Sequence, residues 1–300
     1  MKAIRTSLVA QSRIMPWRER FNSAVLAIWG LPASNVLVQK PKTASAKPTL
    51  STPLPKRKIF PFASLPAELK NAIYIYALTD ANSVFLVSKR KQHRRTVKRD
   101  TPHALLTSSC GYYHRGRFMH PRPAESDATS TLRTLVPNLL LVNRQIYSEA
   151  QPILYGQNAF ALEDTMALHA FLANIGPRNV AALADVTIKG WGYTKAHKAL
   201  NYPALTLLAG AVDLKRLKID CRISWYTCPK KIAMQVYREA FHWLKAIGVA
   251  KRKRDAALEV IEIREENFSA SIYGTVSVKD LPSHQEQMEN FREVLSHLLR

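Results

Sequence analysis

From residue 164 onward the apolar residues switch period at a steady interval, and this alternation constrains the fold more than any other feature. A helical pattern over Asp164–Asn174 leads through Ile175-Gly176-Pro177 to a strand pattern at Ala184–Lys189. A second helix (Tyr202–Ala211) leads to a strand at Leu214–Cys221. A long amphipathic helix (Pro229–Ile247) leads past a basic loop to Leu258–Arg264. Phe268–Val278 is a further strand candidate, and Glu286–Leu299 is a last helix. Strands recurring every ~30–45 residues with helices between them predict crossover units and a parallel sheet. The segments DLKRLKID (213–220) and ALEVIEI (257–263) share an L-x-x-L/I-x-I cadence, similar to a leucine-rich-repeat strand.

The N-terminal side is organised differently. Residues 39–58 are rich in Pro, Ser, Thr, Ala and Lys and contain no acid. Such a segment cannot bury enough apolar surface to offset the entropy of ordering it, so 1–58 is expected to be a basic, disordered segment. Folding should begin near Ile59. Ser64-Leu65-Pro66 opens a helix, with Pro66 in the first turn, where its missing N–H costs nothing. Glu68 is well placed for the helix dipole. Leu69, Ala72, Ile73, Tyr76 and Ala77 recur at helical spacing and predict an apolar, core-forming face. Val84–Val87 reads as a strand, and 88–130 as a long loop. The second helix, over Leu139–Tyr155, carries Leu139, Val142, Ile146, Ala150 and Ile153 on one face. Pro152 within it predicts a kink or an early stop. Asn158–Leu162 reads as a strand.

Charge separates the function classes. The formal net charge is +22, and residues 1–60 hold 11 Lys/Arg against one acid, whereas residues 201–300 hold 16 against 12. The excess is mainly N-terminal. It favours nucleic acid, anionic membrane or acidic partners without selecting among them. Three compact clusters stand out. They are Lys56-Arg57-Lys58, then Lys89, Arg90, Lys91, Arg94 and Arg95 with Lys98 and Arg99, then Lys251-Arg252-Lys253-Arg254. Such runs read as nuclear-import or nucleic-acid patches. Residues 1–18 are Arg- and Ser-bearing with no acid, a composition shared with mitochondrial presequences. The apolar stretch Val25–Val38 is too short to span a bilayer and contains Pro32, and no transmembrane segment is expected elsewhere. Nucleus or cytoplasm is the expected compartment.

Two blocks carry a family resemblance. FPFASLPAELKNAIYIYALTD (60–80) and LLLVNRQIYSEAQPILYGQNAF (139–160) resemble a fungal F-box-like domain family of two-EXR type, whose members are mostly uncharacterised. The family pattern is approximately LPxELRxxIYxxAL, then LLxVNRQIxxEAxPIxYxxNxF. Leu65, Pro66, Glu68, Leu69, Ile73, Tyr74, Ala77 and Leu78 match the first block. Asn143, Arg144, Gln145, Ile146, Glu149, Ala150, Pro152, Ile153 and Tyr155 match the second. The alternating periods and the resemblance together lead to an expected α/β chain with an α+β N-terminal part. An interrupted F-box-like helical module (59–162) would be followed by irregular βα repeats (163–300) with a parallel, leucine-rich-repeat-like sheet. The resemblance also implies a protein-binding role, with a Skp-type adaptor of ubiquitin ligases as candidate partner. About sixty residues separate the blocks, and Asn143-Arg144-Gln145-Ile146 stands where true F-boxes often carry Cys-Arg-x-Trp.

The chemistry-bearing residues point away from catalysis. There is no Gly-rich phosphate loop, G-x-S-x-G, H-E-x-x-H or C-x-x-C. The best metal candidate is Cys110, His114 and His120, with His103 as a distant fourth ligand, but the bland reading is a polar loop. Cys221 and Cys228 read as buried thiols and not as ligands or a nucleophile, and His169 and His242 as packing residues. Asn267-Phe268-Ser269 matches a glycosylation sequon that has meaning only in a secreted chain. The expected protein is therefore a non-enzymatic interaction protein without cofactor or metal. The alternative is a basic nuclear protein associating with nucleic acid.

Overall fold

The structure is a computed structural model that describes residues 60–91, 94–100, 112–114, 117–119, 135–192, 198–223, 228–268 and 283–300. A 3-10 turn at Phe62–Ser64 precedes helix α1 (Ala67–Leu78). Strands β1 (Val84–Lys91) and β2 (Arg94–Arg99) follow, then a separate small hairpin, β3 (Tyr112–His114) with β4 (Arg117–Met119). A 3-10 turn at Pro137–Leu141 leads to α2 (Arg144–Gly156) and β5 (Ala159–Leu162). Then come α3 (Thr165–Ile175), α4 (Pro177–Val180), β6 (Asp185–Ile188), α5 (Asn201–Leu208) and β7 (Arg216–Ile219). The chain closes with α6 (Pro229–Ala250), β8 (Ile261–Ile263) and α7 (His284–Leu299).

The protein is α/β, with a mostly parallel six-stranded sheet in the order β2-β1-β5-β6-β7-β8. All pairs are parallel except the β1–β2 hairpin. The parallel strands follow one another in sequence order with no reversal. Right-handed crossovers then place successive helices on the same face, whereas a reversal would send them to both faces. Here α3 packs on α5, α5 on α6, and α6 on α7. Beneath that layer the strands present one apolar face: Val84, Leu86, Phe160, Leu162, Val186, Ile188, Leu217, Ile219, Ile261 and Ile263. On β6 to β8 the alternate residues are polar, among them Asp185, Thr187, Arg216, Lys218 and Glu262, and none of these is buried. Strand periodicity thus sorts this part of the sheet into a buried face and an accessible one. The sheet runs across residue 162 without a break, since β1 pairs with β5 through Val84↔Phe160, Phe85↔Ala161 and Leu86↔Leu162.

Three local expectations are corrected. Residues 88–130 are not one long loop, because 84–91 and 94–99 form the antiparallel edge of the main sheet, and 112–114 pairs with 117–119. Most of this hairpin was obscured because Lys and Arg dominate beyond Leu86, leaving Val84, Phe85, Leu86 and Val97 as its buried residues with no regular alternation. The second helix does not run from Leu139. It breaks at Val142 and restarts at Arg144, because the Asn143 side chain accepts the Ile146 N–H at 2.7 Å and caps a new N-terminus. Pro152 neither stops nor shortens that helix, which continues to Gly156. Pro152 lies on the exposed side, and so does Ser148, whose carbonyl loses its helical partner to Pro152 and can turn to water. Of the strand candidate at 268–278, Phe268 closes a 3-10 turn, and the rest lies outside the described residues.

Candidate functional site

Helix α1 is apolar on two opposite sides. Tyr74 and Leu78 are fully buried against the core. The face read from periodicity as core-forming is the other one. Leu69 is 53% exposed, Ile73 39% and Tyr76 77%, and Ala72 is exposed as well, with only Ala77 partly packed. At about 100° per residue, positions 69, 72, 73 and 76 lie within one stripe, roughly opposite 74 and 78. The reversal has a physical origin. Both faces are apolar, so periodicity cannot choose between them, and Tyr74 wins because a buried phenol needs a partner that only α2 supplies. Val136, itself 47% exposed, donates its N–H to the Ala77 carbonyl at 2.9 Å and so sits at the C-terminal end of the stripe.

The partner is Glu149. Tyr74 Oη donates to Glu149 Oε2 at 2.8 Å, while Lys70 Nζ and Gln145 Nε2 reach Oε1 at 3.4 and 2.9 Å. Gln145 and Tyr74 donate to the carboxylate and hold its pKa below the ordinary value. Burial, aided by the neighbouring carboxylate, pushes the Tyr74 phenol up to about 12. Phe62 packs on the same ring at 5.9 Å between centroids. A second clamp joins the far ends of the two helices. The buried Asn158 amide donates to Leu78 O at 2.8 Å and Leu154 O at 2.7 Å, and its oxygen accepts the Asp80 N–H at 2.8 Å. One side chain therefore satisfies a C-terminal carbonyl of each motif helix. The sequence pattern ends in N-x-F, but nothing in spacing alone revealed this role.

The family-motif residues thus divide by task. Asn143, Gln145 and Glu149, together with Tyr74, build and join the helices. Pro66 stands at the N-cap of α1, Glu68 is in its first turn, and Leu65 is half-buried ahead of it. Arg144 is exposed at the start of α2. Leu69 and Ile73 face outward and remain available.

Among the described residues the basic clusters do not form one patch, and Lys56-Arg57-Lys58 with the rest of 1–58 lies outside them. Strand β1 pairs with β5 only through Leu86, so Lys89, Arg90, Lys91, Arg94 and Arg95 extend past the C-terminal ends of the parallel strands. Lys251, Arg252, Lys253 and Arg254 link the end of α6 to the approach to β8, at the N-terminal ends of the strands and the opposite edge of the sheet. In that loop Lys253 pairs with Glu259 at 2.5 Å, and Arg254 donates to the Arg300 carbonyl at 2.9 Å. The open sheet face is self-neutralising. Arg216 pairs with Asp185 at 2.5 Å, Lys189 pairs with Asp220, and Arg264 lies 3.9 Å from Asp220.

Polar groups elsewhere serve architecture. Thr165 Oγ1 donates to Asn201 Oδ1 at 2.6 Å, and Asn201 Nδ2 donates to Glu239 Oε2 at 2.8 Å, a buried chain tying α3, α5 and α6 together. Sequence reading missed it, since none of the three stands in a motif. His242 Nε2 lies 2.6 Å from Tyr202 Oη on an exposed surface, so it is not buried in packing, whereas His169 is half-buried. Cys221 is buried as expected, and burial pushes its thiol up to about 12, but Cys228, expected to be buried too, is exposed at the N-cap of α6. The sequon residue Asn267 is buried, its amide donating to Cys221 O at 2.8 Å and Arg264 O at 3.0 Å. Of the metal candidates, Cys110, His103 and His120 lie outside the described residues, and His114 is described only as part of β3. Among the described residues, no group of three or more His, Cys, Asp or Glu is placed to hold a metal ion. Among them too, no helix is long and apolar enough to cross a membrane.

Fold and site together define an α/β protein with an open sheet face and two clamped N-terminal helices, one of them bearing an exposed apolar stripe. Residues 57–203 match the sequence model of a family described as a domain of unknown function, DUF7730. The match takes in both motif blocks, the basic hairpin and the sheet as far as β6. No curated protein and no solved structure matches the chain.

Proposed function

We propose that this protein is a non-enzymatic docking module that engages another protein through the outward stripe of α1. The observation that carries this reading is the contiguous exposure of Leu69, Ala72, Ile73 and Tyr76 on a helix whose opposite face is fully buried. Scattered exposed apolar residues need no explanation, but a stripe at i, i+3, i+4 and i+7 is the pattern by which helices engage apolar partner surfaces. The clamps at Glu149 and Asn158 hold α1 rigid, which lowers the ordering cost of association. The resemblance to F-box-like domains supports a Skp-type adaptor as the partner.

The test is calorimetric titration of the full chain with a purified Skp-type adaptor, beside a Leu69→Asp/Ile73→Asp variant. Both side chains are exposed, so each change should alter stability by no more than ~0.5 kcal/mol, checked by circular dichroism and urea unfolding. Wild-type protein should bind with a negative heat-capacity change, and the variant should lose at least tenfold in affinity while staying folded. An adaptor that does not bind the wild-type chain, or binds the folded variant equally well, refutes the assignment.

A further inference from the structure

We propose that the β1–β2 hairpin is a second, independent binding surface, which takes the phosphate backbone of double-stranded nucleic acid without reading its sequence. Residues 84–99 contain seven Lys/Arg and no acid. The structure turns this composition into an ordered array. Lys89 faces Thr96, Arg90 faces Arg95, Lys91 faces Arg94 and Val87 faces Lys98 across the antiparallel pair. Lys89, Arg90, Arg94 and Lys98 are all exposed. Among the described residues no carboxylate forms an ion pair with Lys89, Arg90 or Lys98. By contrast, the cations of the open sheet face, Arg216 and Lys189, are matched by Asp185 and Asp220. Arg99 is likewise paired, with Asp80.

Geometry selects the mode of binding. A free two-stranded ribbon is narrow enough to enter a major groove. This one is not free, because α3 packs against both of its strands. Arg95 reaches Met166 Sδ at 3.0 Å, and Arg94 Nη2 reaches Asn174 Oδ1 at 3.2 Å, both on that helix. With one face seated, the hairpin can lie along a backbone but cannot insert to contact base edges. It therefore supplies positioning contacts and no direct readout.

Charge density and chemistry select the partner. A duplex carries one charge per ~1.7 Å of its axis together with condensed counterions, and each phosphate neutralised releases some of them. Single strands are held largely by bases stacking on aromatic rings, and Phe85, the aromatic residue of the hairpin, is buried. A membrane surface would call for an apolar anchor beside the cations, and no large apolar side chain of the described hairpin is exposed.

The experiment measures binding of the full chain to a fluorescent random-sequence DNA duplex over a range of NaCl concentrations. It compares wild type, a hairpin variant (Lys89→Gln/Arg90→Gln/Lys98→Gln) and a loop variant (Lys251→Gln/Arg252→Gln/Lys253→Gln). All the replaced side chains are exposed, and unfolding curves confirm that each variant is folded. If the three hairpin cations each meet a phosphate, the slope of log K against log salt falls by about 2.7, from ~0.9 per phosphate contact. The hairpin variant should lose at least tenfold in affinity near 0.1 M salt, and the loop variant should lose far less. Equal slopes for wild type and hairpin variant overturn the proposal, which would mean that other basic segments carry the binding. Tighter hairpin-dependent binding to phosphatidylserine vesicles, or to an acidic peptide, overturns it in favour of that partner.

Discussion

Asn158 offers the sharpest test of how the two motif helices are held together. Its amide satisfies the terminal carbonyls of both α1 and α2, and its oxygen receives the Asp80 N–H. The side chain is 1% exposed, and Leu78 and Leu154 are fully buried, so water cannot substitute. Asn158→Ala leaves two buried carbonyls without partners, each costing ~1–3 kcal/mol, for a total of about 2–6 kcal/mol, and it also frees the part-buried Asp80 N–H. Against a whole-protein stability of ~5–15 kcal/mol, that is a large fraction. Urea unfolding should show a lower midpoint at an unchanged slope. Asn158→Asp retains the acceptor for Asp80 N–H but loses both donors and buries a charge, so it should cost at least as much. A loss below ~1 kcal/mol in Asn158→Ala would refute the reasoning, because it would mean that the carbonyls find other partners at little cost.

Two further outcomes follow from the same contacts. The Glu149 pKa is lowered in the folded state, so its contribution to stability is complete above the ordinary carboxylate value, near 4.5, and is lost as pH falls through the lowered folded value. Glu149→Gln should therefore flatten the acid limb of the stability profile below that value, while an unchanged acid limb would show that the carboxylate is not held as described. For the thiols, iodoacetamide at pH 8 should alkylate exposed Cys228 in native protein but spare Cys221, which is buried and pushed up to about 12, until denaturant is added. Native-state labelling of Cys221 would contradict the packing around β7.

Local pattern along the chain specified the helix–strand grammar and the parallel part of the sheet after residue 164. Alternating helical and strand periods after residue 164 specified crossover units, because parallel strands need helices to return the chain. Those elements stand within a few residues of their expected places, and α7 begins with the capping box of Ser283 and Glu286, a purely local device. The paired blocks at 60–80 and 139–160 were also legible, and they do pack together. Tertiary structure decided what local pattern could not. It chose which apolar side of α1 is buried, because only the Tyr74 side finds Glu149, seventy-five residues away in sequence. It converted the basic stretch at 89–99 from an expected loop into a sheet edge, because β1 gains backbone partners from both β2 and β5. It also set that edge and the 251–254 loop at opposite ends of the strands, so similar cation clusters became different surfaces. In each case the deciding term is a contact between residues distant in the chain. Periodicity, propensity and composition report only on neighbours along it.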